Sequence, residues 1–276
     1  MSAVNPAAAA EDDTALVLTM KWGRRYGPEC VNRLYRGVKR NLRRKLRFVC
    51  FTDDGTGIDA NVEVLPLPKF SLADGNLDSR WRKLSLFAAE LPGGLTGTAL
   101  FLDLDQIVVG DMEPFFTLPG EFRILRDMDL FRAKPLRLLA PKKRNFLNRV
   151  GNSSVFRFEI GQHAYVLDAY LESPAEATKR FKISQQFQSA QLASHNHLDY
   201  WPRGWCVSFK NDCVPRHAAS FFKDPVLPKG ARIVCFAGEP KMNEALYGSG
   251  SRWYRRIGDV EWLRQAWEGE DMTDRG

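Results

Sequence analysis

The sequence predicts an α/β protein built on an open, Rossmann-like, mostly parallel central sheet with helices on both faces. Three observations carry that expectation. From Ala15 onward, short apolar runs suited to buried strands alternate with helix-length amphipathic segments, the rhythm that produces parallel sheets with helical crossovers. Three of the apolar runs end in polar residues, at Thr19/Lys21, Asp53/Asp54 and Asp103/Asp105, and ligands of such sheets bind beyond the carboxyl ends of the strands. With 276 residues, 44% hydrophobic and 26% charged, the chain has the material for one globular body with a sizeable core.

Residues 1–14 (MSAVNPAAAAEDDT) are small and polar, without a basic segment leading into a long apolar one, and read as a disordered leader before a single domain over 15–276. Ala15 to Met20 is the first strand, and Glu29 to Asn41 a helix with Val31, Leu34, Tyr35 and Val38 on one face. Arg47 to Thr52 is the next strand, ending in the turn signal Asp53-Asp54-Gly55. Val62 to Leu65 is a brief third strand, and Asp78 to Leu91 reads as a helix carrying Trp81, Leu84, Leu86 and Phe87. The strand delivering Asp103 and Asp105 follows. The second half is less regular: a strand and turn over 120–131, a basic stretch over 134–149, a strand over 151–158 and helices over 161–171 and 175–181. Aromatic and proline-rich sequence then runs through Phe222, before a last strand (Arg232 to Phe236) and a terminal helix (Asp259 to Trp267).

The formal charge of +7 favours anionic partners. Five cysteines without C-x-x-C spacing indicate neither a zinc ribbon nor a disulfide framework, so a reducing cytoplasm is the simplest compartment. No run approaches the ~18 apolar residues of a membrane helix, which leaves peripheral contact with the inner membrane open.

The sharpest local feature is Phe101-Leu102-Asp103-Leu104-Asp105-Gln106-Ile107-Val108-Val109-Gly110-Asp111. In an extended backbone, residues two apart point the same way, so Asp103 and Asp105 would converge while Leu104 faces the core. Converging carboxylates raise each other's pKa unless a cation sits between them; Mg²⁺ or Mn²⁺ holding a phosphate would serve. A solvated acidic turn at a strand end accounts for a bare D-x-D equally well.

Taken together, the pieces resemble the family-8 retaining glycosyltransferases and their relatives of GT-A fold, over roughly Leu16 to Lys241. The resemblance rests on the D-x-D strand with Met112-Glu113-Pro114-Phe115 after it, the first strand with Thr19, Lys21 and Tyr26, the C-F-T-D-D end of the second strand, Asn152-Ser153, and F-x-G-x-P-K at Phe236 to Lys241. It implies a UDP-sugar donor, Mn²⁺ or Mg²⁺ held by Asp103 and Asp105, and a carbohydrate or glycolipid acceptor, with no nucleic-acid partner. Asp53 or Asp54 would bind uracil or ribose, with Thr19, Lys21 and Tyr26 in the nucleotide pocket and Lys83, Asp103 and Gly238 also at the donor. Lys241 would sit near the leaving diphosphate and Asn152 on the sugar hydroxyls.

Two departures stand against that pattern. Ala237 occupies the place where the resemblance implies a third metal ligand, a histidine. Ala190-Gln191 is the nearest match to an Asp-Gln pair beside the donor sugar, which makes Gln191 the catalytic candidate there. Glu239 would be a substitute ligand, and His195 and His197 are weaker ones. Weak metal binding or altered catalysis is expected, and an impaired relative is one outcome. Two other readings fit parts of the chain: a haloacid-dehalogenase-like phosphatase using the first Asp of D-x-D as nucleophile, and a nucleic-acid or anionic-surface binding module using the basic runs at 39–47 and 142–144.

Overall fold

The computed structural model describes residues 14–70, 80–127, 150–215, 217–248, 251, 256–258 and 260–269. Most of the leader and the basic stretch over 134–149, including 142–144, lie outside them; Thr14 already belongs to the first strand.

The element order is β1 (Thr14–Lys21), α1 (Pro28–Arg40), β2 (Lys45–Thr52), β3 (Glu63–Pro66), a 3₁₀ segment (Arg80–Phe87), β4 (Thr98–Leu102), β5 (Gln106–Val108), α2 (Pro114–Thr117), β6 (Arg123–Arg126) and β7 (Gly151–Glu159). Then come α3 (Ala164–Glu172), α4 (Pro174–Arg180), α5 (Ser184–Ser194), β8 (Asp199–Tyr200), β9 (Cys206–Ser208), β10 (Ile233–Cys235), α6 (Met242–Leu246) and α7 (Glu261–Glu268). The main sheet has seven strands in the order β3-β2-β1-β4-β7-β6-β8, and every strand but β7 runs the same way. The expected mostly parallel sheet is therefore present. A second sheet, β5-β10-β9, carries the predicted last strand beside two strands that sequence patterning had not separated.

Why the middle stretches of the central strands are apolar on both faces follows from what covers them. Ala15 and Val17 of β1, Phe48 and Cys50 of β2, and Leu100 and Leu102 of β4 face a core shared with α1, the second sheet and α7. Their alternates Leu16 and Leu18, Val49 and Phe51, and Ala99 and Phe101 face a core shared with the 3₁₀ segment, α3 and α5. A strand buried on both faces cannot alternate polar with apolar. On the second side Phe156 of β7 meets Phe101, Phe158, Phe87 and Phe122 at centroid separations of 5.0, 5.3, 5.8 and 5.8 Å. Losing that ring would cost about 3–5 kcal/mol.

Three local expectations change. Over Arg80–Phe87 the backbone is 3₁₀ rather than the α-helix expected over 78–91. Leu84, Ser85, Leu86 and Phe87 are all buried, so the segment has no single apolar face for an α-helix to present. Asp103 and Asp105 sit in the turn between β4 and β5 rather than on an extended strand, with Leu104 buried between them and the Asp103 N–H donating to the Ser154 carbonyl at 2.9 Å. Finally α5 occupies sequence read as irregular aromatic material; its Phe187 and Leu192 pack in the second core.

Three arginines of the basic run at 39–47 are engaged within the molecule. Arg40 donates to the Ala266 carbonyl at 2.8 Å, Arg44 pairs with Glu113 at 2.8 Å and Arg47 with Glu63 at 2.8 Å. Among the described residues no helix is long and apolar enough to cross a membrane.

Candidate active site

The carboxyl ends of β1 and β4 border a cavity of about 520 Å³, within the usual range for small-molecule sites. The loop after β1 supplies Trp22, Arg24, Arg25 and Tyr26, and the 3₁₀ segment supplies Arg80 and Lys83. The β4–β5 turn supplies Asp103 and Asp105, the start of β7 supplies Asn152 and Ser153, and the start of α5 supplies Ser184 and Gln185. The end of β10 and the loop after it add Cys235, Ala237, Gly238 and Lys241. The D-x-D pair is thus directed into a real cavity, although a turn and not strand pleating brings the two side chains there.

Each aspartate already has partners. Lys83 Nζ donates to Asp103 Oδ2 at 2.5 Å and to the Ser153 carbonyl at 3.3 Å. Gln106 Nε2 donates to Asp105 Oδ1 at 2.7 Å, and the Tyr26 hydroxyl donates to Asp105 Oδ2 at 3.2 Å. Burial and then the negative charge of Asp103 push the Asp105 carboxyl up from 3.8 to about 6; Lys83 and the two hydrogen bonds oppose that rise. Burial, with the Asp105 charge behind it, also pushes the Tyr26 hydroxyl above its ordinary value, so it remains a donor at neutral pH.

Around this centre the lining is strongly positive. Arg24, Arg25, Arg80, Lys83 and Lys241 face two carboxylates, Asp103 and Asp105. Gly238 adopts φ +87°, a left-handed conformation, and a Cβ there would lie 3.1 Å from Lys210 Nζ, so glycine is what lets the loop turn beside the cavity. Lys210 in turn donates to the Ala237 carbonyl at 2.7 Å. Lys241 caps the start of α6, its backbone N–H donating to Glu244 Oε2 at 2.7 Å.

Of the predicted site residues, Tyr26, Lys83, Asp103, Asp105, Asn152, Gly238 and Lys241 come together in this cavity. Thr19, Lys21, Asp53 and Asp54 do not line it. Thr19 Oγ1 donates to the Leu102 carbonyl at 2.8 Å, tying β1 to β4, and Lys21 Nζ donates to the Asp54 carbonyl at 3.0 Å. Asp53 accepts from the Gly23 N–H at 3.0 Å, tying the loop after β1 to the end of β2, and Asp54 accepts from the Thr56 N–H at 2.9 Å, closing its own turn. Gln191 lies well over a turn along α5 from the cavity, with its carbonyl accepting from Ser194 Oγ; Gln185 of the same helix takes the lining position and donates to Asp127 Oδ2 at 2.6 Å. His195 stacks on Tyr165 at 3.9 Å and His197 is hydrogen-bonded to the Tyr165 hydroxyl at 3.0 Å; neither reaches the cavity, and the exposed Glu239 does not line it.

Sequence reasoning missed Gln185, Trp22, Arg24, Arg25, Arg80 and Cys235. A signal existed for the loop: Trp22-Gly23-Arg24-Arg25-Tyr26 directly follows a strand, where such sheets place ligand contacts.

The donor set does not suit a bound divalent ion. Hard cations of this kind take six or more ligands, mostly oxygens. Where one or two carboxylates suffice beside substrate phosphates and water, those carboxylates must be free to ligate, whereas Asp103 and Asp105 already accept from Lys83, Gln106 and Tyr26. Among the described residues no three His, Cys, Asp or Glu side chains gather in a group able to hold a metal. Asp103 is already balanced by an ammonium, and Ala237 offers no side-chain donor.

No family model and no curated protein matches the sequence. Solved structures do share its fold. The galactosyltransferase LgtC in complex with donor and acceptor sugar analogues is 12% identical, with a TM-score of 0.54 over 92% of this chain and 95% of that one. The glycosyltransferase GlyE of Streptococcus pneumoniae TIGR4 is 14% identical, with a TM-score of 0.53 over 92% of this chain and 60% of that one. The bifunctional glycosyltransferase WbbM is 15% identical, with a TM-score of 0.53 over 87% of this chain; the match spans about half, 48%, of WbbM. The chain therefore has the GT-A fold, with its central sheet and surrounding helices.

Proposed function

We propose that this GT-A-fold chain is a glycosyltransferase that moves a sugar from a nucleotide-diphosphate donor, with UDP-sugars the first candidates, to a hydroxyl of a carbohydrate or glycolipid. The observation that carries the reading is the cavity at the strand ends. It combines an excess of cations suited to a diphosphate with the amides of Asn152 and Gln185, which can donate to and accept from sugar hydroxyls. The fold shared with glycosyltransferases supports it.

In the proposed reaction the bond between the anomeric carbon and the diphosphate oxygen breaks, and its electron pair leaves on that oxygen. The acceptor hydroxyl oxygen bonds to the anomeric carbon. If configuration is retained, acceptor and leaving group share one face of the sugar, and the hydroxyl proton passes to the departing diphosphate. Lys241 and the arginines of the β1–α1 loop would stabilise that developing charge. Asp103, held by Lys83, would accept from ribose or sugar hydroxyls, and Tyr26 would keep Asp105 oriented.

Neither alternative gains comparable support. The fold neighbours are glycosyltransferases rather than phosphatases, and the arginines at 40, 44 and 47 are engaged within the chain.

A thermal-shift screen of nucleotide sugars and their parent nucleotides tests the proposal on wild type and Lys241→Gln. Stabilisation by one nucleotide-diphosphate family, reduced in the variant, is the expected result. Equal indifference to every nucleotide would count against it.

A further inference from the structure

A divalent ion between two aspartates has two tasks: it offsets their mutual repulsion, and it takes up charge from a bound diphosphate. In this cavity side chains stand ready for both. Lys83 Nζ lies against Asp103 Oδ2 and the Ser153 carbonyl, so the first task is already discharged by an ammonium. Both Asp105 oxygens accept hydrogen bonds, from Gln106 and Tyr26. A metal would have to displace these donors, and it would find no third acidic, thiol or imidazole ligand gathered with them among the described residues.

The second task has its own candidates. Arg24, Arg25, Arg80 and Lys241 line the same cavity, and none of the four is ion-paired with a described residue. The contact found for Arg25 is with the Tyr26 ring, 5.4 Å from guanidinium to centroid. Keeping unpaired cations around one concavity costs mutual repulsion, and a polyanionic ligand relieves it. Guanidinium groups suit phosphate oxygens in particular, since they donate in a planar fork and stay charged at every working pH.

We propose that this cavity binds the diphosphate of its nucleotide ligand without a divalent metal, Lys83 balancing Asp103 while Arg25 and Lys241 take the diphosphate charge. The inference rests on the glycosyltransferase reading and assigns its charge neutralisation to the chain's own residues. When the sugar leaves, the diphosphate gains negative charge, and these cations face it without prior recruitment of an ion.

Isothermal titration of the full chain with UDP, in excess EDTA and again in millimolar Mn²⁺, tests the inference. The expected dissociation constants agree within about threefold between the two buffers. Arg25→Gln and Lys241→Gln, both at the cavity rim, each weaken binding by about tenfold or more in EDTA. Binding that appears only with Mn²⁺, or tightens more than about tenfold on its addition, overturns the metal-free assignment and leaves the glycosyltransferase reading standing. Failure of UDP and every other nucleoside diphosphate to bind in either buffer overturns both.

Discussion

Replacing Asp105 by Asn should stabilise the protein near neutral pH, and the gain should vanish in acid. In the folded chain the carboxyl is raised from 3.8 to about 6, first by burial and then by Asp103. Between those values the native state holds a proton that the unfolded state has released, so stability falls as pH rises through the window; above about pH 6 the whole penalty is in force. A rise of that size corresponds to about 3 kcal/mol at most. Asp105 is only half-buried at the cavity wall, and solvent screening reduces the figure to about 1–2 kcal/mol. Asparagine keeps the shape and removes the titration. Urea unfolding at pH 7.5 should therefore show Asp105→Asn more stable than wild type by about 1–2 kcal/mol, with Tm higher by about 2–8 °C, and at pH 4 the two should nearly coincide. A variant no more stable than wild type at pH 7.5 would refute the reasoning, because Asp105 would then carry no unfavourable charge in the free protein.

Further outcomes follow from other contacts. Lys83→Met leaves Asp103 without its cation and should cost about 1–3 kcal/mol in urea unfolding, most of it recovered in the Lys83→Met/Asp103→Asn double variant. Glu113 accepts the backbone N–H groups of Arg43 and Arg44 at 2.6 and 3.0 Å and pairs with the Arg44 side chain at 2.8 Å. Burial works against its charge, but the bonds from Arg44 and Arg43 outweigh burial and hold the carboxyl below its ordinary value. Glu113→Gln should accordingly cost about 1–2 kcal/mol near pH 7 and progressively less as pH falls below the ordinary glutamate range, read from denaturation midpoints across pH. Gln185→Ala should reduce sugar transfer by about tenfold or more, whereas Gln191→Ala should change it by less than about twofold; the opposite ranking would move the sugar-binding amide to the far part of α5.

The fold was legible where burial is two-sided or cleanly amphipathic. The uniform apolar runs of β1, β2 and β4 and the stripe Val31, Leu34, Tyr35, Val38 on α1 can each be satisfied in one way, and the structure uses that way. The segment around Arg80–Phe87 was not legible, because consecutive buried residues carry no period from which to choose a helix type. The site was legible as chemistry but less so as geometry. Asp103 and Asp105 both line the cavity and a cation does sit beside one of them, as their repulsion suggested, yet that cation is Lys83, twenty residues earlier, brought there by tertiary packing. Asp53 and Asp54 looked like ligand groups because they end a strand; Asp53 instead ties the loop after β1 to the end of β2 and Asp54 closes its own turn, contacts that no spacing rule anticipates. Gln185 escaped notice because sequence reading set no helix start at Ser184, and without that boundary the amide facing the cavity could not be chosen among Gln185, Gln186, Gln188 and Gln191.

The central claim, that this cavity breaks a sugar–diphosphate bond, is tested most directly by chromatographic detection of nucleoside diphosphate released from a panel of nucleotide sugars. Wild type should release it from one donor family and Lys241→Gln should release it at least about tenfold more slowly, although the variant is folded. Release from no donor by a folded wild-type chain, or undiminished release by Lys241→Gln, would contradict the account.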